Sequence, residues 1–223
     1  ARTMGFNPTT QFATGSQLSE PTITQVGTDR FALAWTDLNS DIQGRVFTTN
    51  GGNPTVTSTL NDLATGNSQV QPEIMQVGTD RFAVAWRDND SDDIQGRVFT
   101  TNGGNVTVTT TLDSDLATGG NQIDPTITQL GTDRFVVAWQ HFAGIVGTDA
   151  IRGKVLTSEG QSAGSFAVDR GDDTKEAPAI TELGTDRFAV AWRDKSDLFI
   201  RGDVFTTDGN GNINNTNTLD GFL

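Results

Sequence analysis

The sequence contains no cysteine and no tyrosine, a single histidine (His141) and three lysines (Lys154, Lys175 and Lys195). Without cysteine there is no disulfide, no thiolate metal site and no cysteine nucleophile. No apolar run is long enough to span a bilayer, so membrane insertion by a helix is not expected. Positive charge is also short: 15 Lys and Arg against 28 Asp and Glu give a net charge of −13. With a pI near 4.3, nucleic acid and anionic membrane surfaces would be repelled over most of the molecule. Cations and neutral polymers remain as partners. The opening residues Ala1-Arg2-Thr3-Met4-Gly5 are neither an initiator nor a signal peptide, so a processed or excised chain is expected. Abundant Thr, Asn, Gly and Asp suit a secreted bacterial β-protein.

What is present is repetition. The stretch Val26-Gly27-Thr28-Asp29-Arg30-Phe31-Ala32-Leu33-Ala34-Trp35 returns at 77–86, 130–139 and 183–192, and the glycines Gly27, Gly78, Gly131 and Gly184 stand 51, 53 and 53 residues apart. A period near 50 with strand-like content points to propeller blades. Gly-Thr-Asp is a hairpin turn. The strand after it puts Phe31, Leu33 and Trp35 on one face and Ala32 and Ala34 on the other. Neither face is polar, so the large residues of one blade should meet the alanines of the next.

The fold expected is all-β: a four-bladed β-propeller with four antiparallel strands per blade, in one domain over 1–223. The repeats run approximately 17–66, 67–119, 120–171 and 172–223, with 1–16 a partial outer strand. Each blade would have a strand opening on proline (Pro21), a second ending in tryptophan, a third around Gly44, where close approach or a bulge is called for, and a β-branched fourth. Five outer-strand candidates, near Thr9, Val56, Val108, Phe166 and Ile213, serve four blades. The rival architecture is half of an eight-bladed ring completed by a second chain.

The pattern Pro-x-Ile-x-x-Val/Leu-Gly-x-Asp-Arg-Phe-x-Val-Ala-Trp, followed by Ile-x-Gly-Arg-Val-Phe-x-x-Asn/Asp-Gly, resembles blade repeats of large secreted or surface proteins of bacteria, including adhesin-like and type I-secreted polypeptides. The resemblance covers nearly all of 21–208 and implies an extracellular or cell-surface binding or structural role.

Two classes of loop follow from the strand order. The Gly-Thr-Asp-Arg and Asn-Gly-Gly turns are uniform, and the loops on the other side vary, which makes the varied side the place to look for function. There the ligand-binding candidates are Asp37, Asp88, His141, Phe142, Asp149, Asp194 and Phe199. His141 takes the position held by aspartate in the other three copies, and it has no Ser or Cys partner from which a triad could be assembled. Asp37, Asn39 and Asp41, and Asp88, Asp90 and Asp92, set oxygen ligands at alternate residues, as calcium loops do; the competing reading is a solvated acidic loop. The tryptophans Trp35, Trp86, Trp139 and Trp192 continue an apolar stripe and read as packing, with sugar stacking the alternative. The arginines Arg30, Arg81, Arg134 and Arg187 read as bridges to carboxylates that fix neighbouring blades, with a substrate-binding ring as the alternative.

With no assembled catalytic set, the function expected is a secreted or cell-surface, non-enzymatic binding or adhesion module with carbohydrate as its ligand class, its partner a glycan or a surface protein. The alternatives are a structural subunit assembling by strand exchange through its surplus N-terminal strand, and a polysaccharide hydrolase or lyase.

Overall fold

A computed structural model of the chain describes residues 11–15, 18–49, 54–64, 68–102, 105–112, 116, 119–142, 149–168, 174–208 and 211–219. They form four antiparallel sheets, each of four strands that pair in chain order. The first sheet holds β1 (Ser19–Gln25), β2 (Arg30–Thr36), β3 (Ile42–Thr48) and β4 (Thr55–Ala64). The second holds β5 (Gln69–Gly78), β6 (Arg81–Asp88), β7 (Asp93–Asn102) and β8 (Asn105–Thr111). The third holds β9 (Asn121–Leu130), β10 (Arg134–Phe142), β11 (Ala150–Thr157) and β12 (Ser162–Val168). The fourth holds β13 (Lys175–Gly184), β14 (Arg187–Asp194), β15 (Ile200–Thr207) and β16 (Ile213–Leu219). The innermost strands pack in series, β1 on β5, β5 on β9 and β9 on β13. This is the blade architecture that the repeat predicts.

The sheets stack as the two apolar faces of the second strand require. Ala32 and Ala34, with Ile42 and Val46, pack against Phe82, Val84, Trp86 and Phe99 of the second sheet. Ala83, Ala85, Ile94 and Val98 pack in the same way against Phe135, Val137 and Trp139 of the third. Val136, Ala138, Ile151 and Val155 pack against Phe188, Val190, Trp192 and Phe205 of the fourth. Small residues leave room for the next sheet's rings, and each fully buried Phe or Val contributes roughly 1.5–3 kcal/mol. Among the described residues the first and fourth sheets share no interface like these three.

The arginines after the second and third Gly-Thr-Asp turns add polar bridges to the following sheet. Arg81 donates to Ser158 Oγ at 3.2 Å and to Glu159 at 2.9 Å on the third sheet. Arg134 reaches Thr207 Oγ1 at 2.7 Å, the Thr185 carbonyl at 3.3 Å and the Asp186 carboxylate on the fourth.

One local expectation changes. The proline of each first strand sits not at the strand's start but in a register break inside it, between Ser19 and Thr22, Val70 and Glu73, and Glu176 and Ala179. A bulge leaves one residue unpaired, so the missing donor costs nothing there. Gly44 meets both expectations: an added Cβ would lie 2.9 Å from Leu63 Cδ1 and 3.1 Å from the Leu33 carbonyl oxygen, and the pairing with β4 shifts register between Ile42 and Gly44. Of the competing terminal strands, β16 fills the fourth sheet. The strand expected near Thr9 lies outside the described residues.

Candidate functional site

The position two residues after each tryptophan is a lock within its own sheet. Asp37 accepts from the backbone N–H of Asn39 at 2.9 Å and of Asp41 at 3.1 Å, and from Gln43 Nε2 at 3.1 Å. Asp88, buried, accepts from the N–H of Asp90 and Ser91 and from the side-chain amides of Gln69 at 3.1 Å and Gln95 at 3.0 Å. Asp194, also buried, accepts from Ser196 Oγ at 2.6 Å and Arg201 Nε at 2.9 Å. Burial opposes its charge, but the bonds from Ser196 and Arg201 outweigh it and hold the carboxyl below its usual range.

His141 does the same work with a different atom. It is not a loop residue: it pairs within β10, between Gln122 and Ala150, and is buried. Its Nδ1 lies 2.8 Å from Gln122 Nε2. Burial and the nearby Arg152 charge lower its pKa, against a smaller opposing effect of Asp149.

The four positions after the tryptophans, Asp37, Asp88, His141 and Asp194, thus lie one to a sheet; Phe142 and Asp149 stand with His141 at the third sheet, where the Asp149 charge reaches the imidazole, and Phe199 precedes β15 of the fourth. Phe142 closes β10, and exposed Phe199 lies beneath the Arg201 guanidinium, 6.0 Å from its ring centroid. Among the described residues no three His, Asp or Glu side chains gather as metal ligands. Asp92, one of the calcium candidates, pairs with Arg87 at 2.9 Å.

Two hollows carry more concentrated chemistry. The first, about 540 Å³, is the central channel, lined by the bulge segments of all four innermost strands, among them Glu20, Gln71, Glu73 and Asp124. The bulge residues Glu20, Gln71, Asp124 and Ala177 have φ between 51° and 56°, a left-handed conformation that costs a non-glycine residue energy. Hydrogen bonds between sheets offset that strain. The Glu20 carboxylate accepts from the Gln71 N–H at 2.7 Å, and the Gln71 amide exchanges bonds with Asp124 at 2.5 and 3.2 Å. Glu73 stands in the channel with its pKa raised by burial.

The second hollow, about 440 Å³, opens between the second and third sheets and is lined by Leu116, Gln122, Trp139, Arg152, Lys154 and Phe166 among others. Trp139 and Gln122 are buried there, and Trp139 Nε1 and Gln122 Oε1 find no hydrogen-bond partner among the described residues, as is also so for Trp86 Nε1 and Gln69 Oε1 at the equivalent positions of the second sheet. A buried donor and a buried acceptor left unmade cost about 1–3 kcal/mol each, which a polar ligand would recover. Arg152 and Lys154 supply positive charge in an otherwise acidic molecule. The corresponding hollow between the first and second sheets is only about 180 Å³ and is lined by Leu60, Leu63, Arg97, Phe99, Val106 and Val108 among others. Sequence reasoning missed the larger cleft by weighing loops above strands. The available signal was the one repeat whose third strand reads Arg152-Gly153-Lys154 where the first two read Gln-Gly-Arg.

No protein-family profile matches the chain, and no curated protein is similar to it in sequence. Solved structures are similar in fold. A fungal lectin, the six-bladed Aleuria aurantia lectin described with a fucose recognition mode, aligns with a TM-score of 0.59 at 14% identity, over 88% of this chain and 62% of that one. An endo-arabinase from Bacteroides thetaiotaomicron aligns with a TM-score of 0.50 at 11% identity, over 91% and 81%. An exo-β-1,3-galactanase from Phanerochaete chrysosporium aligns with a TM-score of 0.50 at 11% identity, over 90% and 49%. The chain thus spans about three fifths of the lectin and half of the galactanase. At these identities the likeness is one of β-propeller fold, and it extends to lectins and glycosidases alike.

Proposed function

We propose that the protein is a non-enzymatic carbohydrate-binding module, working outside the cell or at its surface in adhesion, and that the cleft between the second and third sheets is its sugar site. The observation that carries this reading is the pair Arg152 and Lys154, which the other repeats lack, lining one cleft with the buried Trp139 Nε1 and Gln122 Oε1, which find no partner among the described residues. A sugar hydroxyl donates and accepts at once, so one ring can satisfy both atoms. The fucose-binding lectin among the similar folds supports the ligand class. Titration calorimetry after a glycan-array screen tests it: Arg152→Ala and Lys154→Ala should each weaken binding tenfold or more without loss of fold. Absence of any glycan ligand, or affinity indifferent to both changes, would overturn it.

A second reading is favoured by Glu73, a carboxyl held toward its protonated form in a channel that also holds Glu20 and Asp124. A carboxyl whose pKa is raised by burial can serve as the general acid of glycoside hydrolysis. Glu20 and Asp124 are, however, engaged in bonds between sheets. Release of reducing sugar from plant or fungal polysaccharides, abolished by Glu73→Gln, would establish the hydrolase. No release from a broad panel removes it.

A further inference from the structure

The three interfaces inside the chain join one kind of face to another, and the molecule presents one free copy of each. Val26, Val77 and Leu130 occupy one repeat position and are 0% exposed, whereas Leu183, their equivalent, is 44% exposed. Ile42, Ile94 and Ile151 are 0% exposed, and Ile200 is 65%. Ala189, Ala191 and Val204 are part-exposed where Ala32, Ala34 and Val46 are closed off. At the other end, Ile23 is 60% exposed where Ile74 and Ile127 are buried. The chemistry of these end faces is that of the internal interfaces; only the covering sheet differs.

The first sheet already carries part of a cover. Phe12 packs edge-on against Phe31 and Phe47, with ring centroids 5.7 and 4.9 Å apart, and its carbonyl accepts from Arg45 at 2.6 Å. Phe12-Ala13-Thr14-Gly15 matches Leu63-Ala64-Thr65-Gly66 in sequence, and Leu63 packs over the second sheet from the first. Phe12 thus stands where the tail of a preceding sheet would lie. Inside it an apolar hollow remains open, lined by Phe12, Ala13, Leu18, Pro21, Leu33 and Trp35 among others.

We propose that the occupant of both faces is a second copy of this chain, docked head to tail, with the small-side-chain face of one fourth sheet on the large-side-chain face of the other first sheet. The contact continues the interface already built three times within the chain, and both halves of it are present on every copy. Two such contacts close a ring of eight sheets. If the curvature does not close, the same contact propagates as a filament. The inference stands apart from the sugar site, which lies between internal sheets.

Light scattering of the 223-residue chain across a concentration series tests it, with near-ultraviolet circular dichroism to verify folding. The wild type should show the mass of two chains or a series of higher multiples. Ile23→Lys and Ile200→Lys each place a charge on one face and should each be folded monomers, because neither side chain lies in the core of a single copy. Mixed together they retain one compatible pair of faces, and should give a dimer and nothing larger. Should a lysine variant fail to fold, Ile23→Ser and Ile200→Ser serve in the same scheme. A wild type that is monomeric at every concentration, single variants that still associate, or variants that fail to combine would each overturn the proposal.

Discussion

Gln122 Nε2 lies 2.8 Å from Nδ1 of His141, and this contact fixes the imidazole as neutral, since Nδ1 can accept that N–H only while it carries no proton. The same amide also donates to the Gly119 carbonyl at 2.6 Å, so it has no freedom to turn away.

A pH dependence follows, with a definite sign. The folded-state pKa of His141 lies below the free value of 6.5, so as pH falls the unfolded chain takes up the proton first. Stability is therefore full above about 6.5 and is lost as pH falls below it, levelling off beneath the folded-state value. Urea midpoints measured from about pH 8 to about pH 5 should decline through that window. In His141→Gln the decline should flatten; an unchanged slope would assign it to other groups.

The arginine bridges give a prediction in contrasting halves. Arg134→Ala removes bonds to Thr207, Thr185 and Asp186 across an interface and should cost about 1–2 kcal/mol, discounted for the exposure of Asp186. Arg187 holds the same repeat position but is exposed, and Arg187→Ala should cost under about 0.5 kcal/mol. Chemical denaturation of the two variants side by side checks the ratio.

The blades and their stacking were legible in the sequence because both rest on a period of two inside a period near 50. Phe31, Leu33 and Trp35 against Ala32 and Ala34 predict which face meets which, and Ala32 and Ala34 do lie against the rings of the second sheet. What the pattern does not carry is closure. Whether Ile200 is covered depends on curvature summed over all four sheets, and no local residue encodes that sum. The candidate site was less legible for a related reason: Trp139, Gln122, Arg152 and Lys154 come from three different strands, and their convergence depends on register. The aspartates were visible as chemistry, but their bonds to Gln43, Gln69 and Gln95 turn them inward.

Those inward bonds decide the expected response to metal. Asp37 and Asp88 are satisfied by donors of their own sheets, so the acidic loops do not need a cation to relieve repulsion. Excess chelator should leave the melting temperature of calcium-equilibrated protein unchanged. A fall of several degrees would mark the loops as calcium sites. Asp88→Ala, by contrast, strands the buried amide of Gln69 and the half-buried amide of Gln95 and should cost about 1–3 kcal/mol whether or not calcium is present.

Gly96 and Gly153 hold the same place in the third strand of their sheets, and both are predicted to resist even a methyl group. At Gly153 a Cβ would lie 2.3 Å from Phe166 Cζ and 2.7 Å from the Val137 carbonyl oxygen. The ring can swing, but the carbonyl belongs to the neighbouring strand and cannot move without breaking the ladder. At Gly96 the corresponding obstacle is the Val84 carbonyl oxygen at 2.8 Å, with Leu116 at 3.1 Å behind it. Alanine at either position should therefore destabilise by roughly 1–3 kcal/mol, the cost of overpacking, although helix and strand scales alike favour alanine over glycine. The two sites differ in what lies beyond them. Gly153 and Phe166 line the cleft between the second and third sheets, so displacing the ring in Gly153→Ala should also weaken glycan binding, whereas Gly96→Ala should lower the melting temperature and leave affinity intact. Thermal denaturation and calorimetric titration of both variants check the pair, and equal losses of affinity would mean that the cleft is not where the sugar sits.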